Sequence, residues 1–235
     1  MIVNHSHGFI FVHVPKAAGT SITELFSQFS TYRDLEVGGT QLGEALQTQF
    51  KKRFGLTKHA TAREIREVVG AETWNGSLKF SFVRNPYARA QSMFHFMKRW
   101  RGNKDMDTLA FMDKMPDFRA FVLSPQFRKQ KKHRILWPQA AWLQDLNGNT
   151  MVDVVGRVET LDEDVRKLLA RLPSLPKQAN DETEAPKKNK SASDDDELNK
   201  LLREDAEVEQ RIYESYKVDF ESFGYPRFSK AAVPA

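Results

Sequence analysis

Short apolar runs alternate along this chain with segments of helical periodicity. FIFVHV at 9–14, KFSFV at 79–83 and MVDVV at 151–155 are rich in β-branched and aromatic residues and read as buried strands. TYRDLEV at 31–37 reads as a further short strand, and the opening MIVNHSHGFIFVHV reads as the first strand rather than a signal peptide. Between them lie helical segments at 21–29 and at 41–54, the latter with Leu42, Ala45, Leu46 and Phe50 in register. Thr61-x-x-Glu64 is a capping box opening a short helix that Gly70 ends. Pro86 suits the first turn of a helix at 87–100. From 105 to 145 the pattern is mainly helical, broken at Pro116, Pro125 and Pro138. Thr160-x-x-Glu163 caps a helix reaching about Leu172. A last helix at about 198–218 puts Leu198, Leu201, Leu202, Val208, Ile212 and Tyr216 on one face. Strands alternating with helices predict an α/β fold in which a central parallel sheet is flanked by helices.

The 235 residues suit a single domain. The stretch 173–197 departs from that pattern, with three prolines, a KKNK run and the acidic run DDDE, and reads as a mobile low-complexity loop. A mean hydropathy of −0.58 describes a soluble chain, and no run reaches a membrane span. There is no cysteine, so disulfides, thiol chemistry and cysteine metal sites drop out, and a cytoplasmic location is the default expectation. The net charge of +5 favours anionic ligands without choosing among them. The basic block RKQKKHR at 128–134 reads first as a solvated face.

The candidate chemistry sits in two loops, each following a strand and opening a helix. In PKAAGTS, Ala17, Ala18 and Gly19 let backbone N–H groups approach a phosphate, Thr20 and Ser21 add hydroxyls, and Lys16 adds a charge. Ser21-x-x-Glu24 is also a capping box, which is the competing structural reading. The loop is not GxxxxGK[ST], which argues against an ATP or GTP site with Mg²⁺. In RNPYARAQS, Arg84 ends a strand where side chains enter the ligand crevice, and Ser92 lies two turns into the next helix. A salt bridge for Arg84 and a neutral helix position for Ser92 are the alternatives. Two separated anion sites suggest a ligand with phosphate at both ends.

FVHVPKAAGTSI resembles the 5′-phosphosulfate loop of sulfotransferases, and FVRNPYARAQSMF resembles their 3′-phosphate motif, spacing included. LWPQAAWLQD, VDVVGRVETLDEDV and YKVDFESFGY extend the likeness to the carbohydrate-type (family 2) domain over nearly the whole chain. The resemblance implies a single sulfotransferase domain over 1–235, of P-loop-like three-layer fold, using 3′-phosphoadenosine-5′-phosphosulfate (PAPS) without a metal and releasing 3′,5′-ADP. It implies that Lys16 contacts the bridging oxygen, Ala17, Ala18, Gly19, Thr20 and Ser21 hold the 5′-phosphate, and Arg84 and Ser92 hold the 3′-phosphate. The family's histidine–asparagine–serine stretch is matched only by KKNKS, leaving Asn189, Lys190 and Ser191 as a candidate lid. Golgi members carry a membrane anchor and cysteines; this chain shows neither, and resembles a free-standing bacterial version.

The sulfuryl group would pass in line to an acceptor hydroxyl, a saccharide among the candidates. The base candidate is His59, just ahead of the capped helix, where a helix N-terminus disfavours the imidazolium. The competing reading is a surface-loop histidine. His13 lies within strand residues, where packing is the better account, and Glu159 is readable as a base or an anchor. Trp137, Gln139 and Trp142 fall in the acceptor-side region of the resemblance, although tryptophans so spaced are more often helix packing. Two other classes remain: a nucleotide phosphotransferase, which needs Mg²⁺-dependent ATP turnover, and a nucleic-acid binder acting through 128–134, which leaves both loops unexplained. No nucleic acid partner and no membrane span are expected.

Overall fold

The computed structural model describes residues 1–99, 106–129, 133–176 and 192–228. By contacts the chain divides into two compact units, Met1–Arg84 with Gln139–Lys188, and Asn85–Pro138 with Asn189–Ala235. The first contains β1 (Ile2–Asn4), β2 (Phe9–Phe11), α1 (Gly19–Ser27), β3 (Leu35–Glu36), α2 (Gln41–Phe54), α3 (Ala62–Gly76) and β4 (Leu78–Val83). The second contributes α4 (Pro86–Arg99), α5 (Met106–Asp113), α6 (Phe118–Leu123) and α7 (Pro125–Lys129). The chain then returns to the first unit for α8 (Ala140–Leu143), β5 (Val154–Arg157) and α9 (Leu161–Ala170). It ends in the second with α10 (Ala192–Glu204), α11 (Ala206–Ser215) and α12 (Lys217–Phe223).

The sheet runs β3-β1-β2-β4-β5, with β2, β4 and β5 parallel and β1 antiparallel to both its neighbours. It is therefore mostly parallel rather than wholly so. The opening segment is not one strand but a hairpin that turns at residues 5–8, where His7 N–H donates to Asn4 Oδ1 at 2.6 Å and Gly8 takes φ 67°. β5 starts later than its apolar run because Met151 N–H is taken by Leu143 O at 2.7 Å, and the ladder begins only at Val154. One face of the sheet is covered by α1 and α9: Phe9, Phe11, Phe80 and Phe82 pack with Ile22, Leu25, Phe26, Val165 and Leu168. Phe26 sits 4.8 Å from the Phe80 ring and 5.4 Å from Phe9, so truncating it would cost about 3–5 kcal/mol.

Some local readings shift. The Thr61–Glu64 capping box forms, with both reciprocal bonds present. Gly70 kinks α3 at φ 81°, but helix resumes as far as Gly76. Thr160 flanks α9 without capping it, because its hydroxyl donates instead to Asp164 Oδ2 at 2.7 Å. In the second unit the final helix opens at Ala192, inside the stretch read as a loop, and is interrupted at Asp205, whose carboxylate accepts the N–H groups of Glu207 and Val208 and starts a new helix. Leu198, Leu202, Val208, Ile212 and Tyr216 are buried as their spacing predicts. Arg89 is buried there too, donating to Trp137 O at 3.0 Å and Ile135 O at 3.1 Å.

Candidate functional site

β2 delivers the chain into the loop before α1. Val12 N–H still donates to Phe80 O at 2.9 Å and Ser81 Oγ to Val12 O at 2.7 Å, so the strand end is tied to β4 before Pro15 halts the ladder. Beyond it Lys16 and Ala18 both adopt the left-handed region, at φ 65° and 56°. Non-glycine residues enter that region at a cost of roughly 1–2 kcal/mol each. Alternating hand makes successive N–H groups converge into an anion nest. Ala18 is the N-cap of α1 and gives it no side-chain cap, and the first turn has no acidic residue. The amides at this helix start therefore point outward at the positive end of its dipole. Ser21 lies inside the first turn, so the Ser21–Glu24 capping box is not what this segment makes.

Gly19 is required here by contact rather than by φ. A Cβ at this position would lie 1.8 Å from His13 Nε2, because the His13 ring packs directly on the Gly19 backbone. His13 is 5% exposed, stacks on Phe11, and its Nδ1 has no hydrogen-bond partner among the described residues. Burial, with the neighbouring His59 next in weight, pushes its pKa well below the ordinary value, so it is neutral. The packing role read from its strand position holds.

His59 meets His13 edge-on at 4.5 Å between ring centroids, and its Nδ1 lies 3.0 Å from His13 O. A carbonyl can only accept, so Nδ1 carries the proton and Nε2 keeps a lone pair. Burial is the main cause that lowers the His59 pKa to about 3. The helix start is thus not the leading reason for its neutrality. Its loop is held from two sides: Trp142 Nε1 donates to His59 O at 3.2 Å, and Lys58 N–H donates to Gln47 Oε1 at 3.0 Å while Lys58 Nζ pairs with Glu44 at 2.8 Å.

Arg84 follows the last residue of β4 and is half-buried. Its backbone is gripped by the Gln139 amide, which accepts from Arg84 N–H at 2.8 Å and donates to Arg84 O at 2.7 Å. Gln139 and Trp142, in the stretch that resembles the acceptor-side region, are fully buried and hold Arg84 and His59, in line with the packing reading of the tryptophan. The sequence carried no sign of these roles beyond a glutamine at a helix start. Trp137 belongs to the second unit, where the Arg134 guanidinium lies 4.9 Å from its ring. Ser92 is half-buried on α4, also in that unit. Asn189, Lys190 and Ser191 lie outside the described residues, as do residues 130–132 of the basic block. Glu159 is exposed in a 3₁₀ turn before α9.

Residues 1–226 match the profile of the Sulfotransferase family. The chain belongs to that family. Its carbohydrate-type (family 2) domain is the one matched. Carbohydrate sulfotransferase 11 of Rattus norvegicus is 25% identical over 251 residues, covering 96% of this chain and 66% of its own length. The Mus musculus protein of the same name gives the same identity and coverage. An uncharacterized protein of Archaeoglobus fulgidus is 30% identical over 109 residues, 46% of this chain and 78% of its own. The chain thus spans 66% of the length of the carbohydrate sulfotransferases it matches. No solved structure matches it. The sulfotransferase profile includes both anion loops, and the central, mostly parallel sheet flanked by helices agrees with the P-loop-like fold of the family.

Proposed function

We propose that this sulfotransferase domain transfers the sulfuryl group of PAPS to an acceptor hydroxyl, a saccharide among the candidates, and releases 3′,5′-ADP. One observation carries the reading: Lys16 and Ala18 in left-handed conformation, with Gly19 pressed on His13, shape the 16–21 loop into an anion nest at a helix N-terminus. That cradle fits a 5′-phosphosulfate, and it supports metal-independent stabilisation of charge by fixed amides and a lysine.

When bound, PAPS supplies the sulfuryl group and a leaving phosphate. In the proposal, Lys16 and the loop amides receive the charge growing on that phosphate. Arg84, with its backbone pinned by Gln139, binds the 3′-phosphate; Ser92 joins it on the strength of the motif spacing, and Asn189, Lys190 and Ser191 stay in the proposal on resemblance alone. His59 accepts the acceptor's proton at Nε2, worth on the order of 10²–10⁴-fold in rate. With a pKa of about 3 it is a weak base by itself. A polyanionic nucleotide in the loop raises that pKa by opposite charge, so base strength would arrive with the donor.

Thermal unfolding with 3′,5′-ADP, 5′-ADP and ATP plus Mg²⁺ tests the donor class. A ligand at about 100 times its Kd adds roughly 2.7 kcal/mol of stability. A shift confined to 3′,5′-ADP is expected; equal shifts with 5′-ADP, or a shift with ATP and Mg²⁺ alone, would overturn the proposal.

A further inference from the structure

Helix α2 sits on the first unit with its polar side inward. The register of Leu42, Ala45, Leu46 and Phe50 marks the side that an amphipathic helix ordinarily buries, yet Gly43 alone among its 14 residues is buried. Leu42 is 67% exposed, Leu46 36% and Phe54 46%. What meets the body is a glycine and two polar side chains. A Cβ at Gly43 would lie 2.9 Å from the Gly38 backbone, so the helix touches down there. Glu44 Oε1 accepts from Gly39 N–H at 3.1 Å and from Lys58 Nζ at 2.8 Å, and Gln47 Oε1 accepts from Lys58 N–H at 3.0 Å. At about 100° per residue, Leu42, Leu46 and Arg53 fall within about 40° of one another, and Glu44 and Gln47 lie roughly 120–180° round from them.

This inversion leaves apolar surface in water, whereas helices in proteins draw most of their stability from burying such a face. The charges make the face specific. Lys51, Lys52 and Arg53 fill the last turn, and none makes an ion pair or side-chain hydrogen bond among the described residues; Arg53 lies 5.6 Å over the Phe54 ring. The helix dipole favours cations at that end but accounts for neither exposed leucine. Glu44 is the single acid of α2, and Lys58 holds it on the inward side. The outward surface is therefore apolar in its first half and carries one sign of charge in its second. A second copy offers no acidic counterpart: two-fold pairing through this face would set the cations against leucines or against each other. The complementary surface has an apolar layer under anionic groups, which describes a bilayer with acidic headgroups.

We propose that α2 docks this protein on an anionic membrane surface, with Leu42 and Leu46 entering the boundary between headgroups and acyl chains and with Lys52 and Arg53 paired to lipid phosphates. Lysine and arginine stems lie along apolar surface while their charges stay at headgroup level, so leucines and cations act from one face. A helix of 14 residues is shorter than the roughly 20 a span needs, so α2 lies on the bilayer rather than through it. Its anchor Lys58 precedes His59, which sets the loop of the candidate base about 10 Å, one helix diameter, from the lipid. Two leucines and a few cations give weak, reversible attachment.

The test floats the full chain with vesicles of phosphatidylcholine, either alone or with about 30% phosphatidylglycerol. Flotation is expected only with phosphatidylglycerol, and added salt should weaken it. Lys52→Gln with Arg53→Gln should reduce vesicle affinity about 20-fold, at roughly 5-fold per charge. Leu42→Ser with Leu46→Ser should reduce it at least about 10-fold. These side chains are exposed, so both variants should fold as the wild type does. Because the chain has no cysteine, Leu46→Cys and Thr48→Cys each accept one environment-sensitive dye, an independent readout. The dye at 46 should shift to the blue on phosphatidylglycerol vesicles, and the dye at 48, about 160° away round the helix, should shift much less. Equal flotation with both vesicles, flotation with neither, full flotation of either variant, or equal dye shifts would overturn the proposal. So would a dimer in lipid-free solution that the leucine variant dissociates, since the face would then belong to a second copy.

Discussion

Gln139 grips the backbone of Arg84 from both sides, accepting its N–H at 2.8 Å and donating to its carbonyl at 2.7 Å. The backbone partners dictate the orientation of the amide, so no other side chain of this size reproduces both bonds. Gln139→Leu should therefore loosen Arg84 without touching the 16–21 loop. The expected result is a fall of about 10-fold in the affinity ratio of 3′,5′-ADP to 5′-ADP, with 5′-ADP binding unchanged, since each net hydrogen bond is worth about 1 kcal/mol. Gln139→Glu keeps the acceptor but sets a carboxylate against Arg84 O, and should lower the ratio similarly. Calorimetric titration of both nucleotides checks it.

Gly19 and His13 form a second obligate pair. Gly19→Ala drives a methyl into the His13 ring, and overpacking of this kind costs about 1–3 kcal/mol. It should also displace the phosphate loop and abolish 3′,5′-ADP binding. Removing the ring relieves the clash, so Gly19→Ala should cost markedly less in a His13→Ala background. A double-mutant cycle by denaturant unfolding measures that coupling; additive effects would contradict the contact.

The two buried histidines set a pH dependence. Both have pKa values depressed below the ordinary 6.5, His59 to about 3, so the unfolded chain takes up protons that the native state refuses. Stability should be constant above about pH 6.5, where both states are neutral, and fall as pH drops from there towards 3. At pH 5 the linkage through His59 amounts to about 2 kcal/mol. Melting curves from pH 8 to 4 should show the loss, reduced in His59→Gln.

Lys16 separates backbone from charge. At φ 65° an alanine pays the same conformational penalty as lysine, and a glycine does not. Lys16→Gly should leave the melting temperature equal to or above that of Lys16→Ala, while both lose sulfuryl transfer by at least about 10²-fold if the ammonium meets transition-state charge. Melting curves and PAPS turnover, measured side by side, decide it.

Signals confined to neighbouring residues were legible. Thr61 and Glu64 announce their capping box because both bonds lie within one turn of chain. The runs around Phe9 and Phe80 announce strands because a buried strand needs no distant partner to look apolar. Other features were not legible because their partners are remote in sequence. The antiparallel β1 hides in a run that continues into β2, and the capping letters at Ser21 and Thr160 are overridden, one by a left-handed Ala18 and the other by Asp164. For Gln139, whose place in the stretch resembling the acceptor-side region assigned it no role, the decisive partner lies 55 residues away.

The sequence by itself determined the α/β class and the two strand–loop–helix units with their lysine, small residues and arginine, since these depend on local periodicity and on chemistry that adjacent residues share. Only the tertiary structure decided why Gly19 must be glycine, which histidine nitrogen keeps its lone pair, and what holds Arg84 and His59 in place. Those answers come from packing and hydrogen bonds between segments far apart along the chain, and no local pattern encodes which carbonyl or ring will close on a given residue.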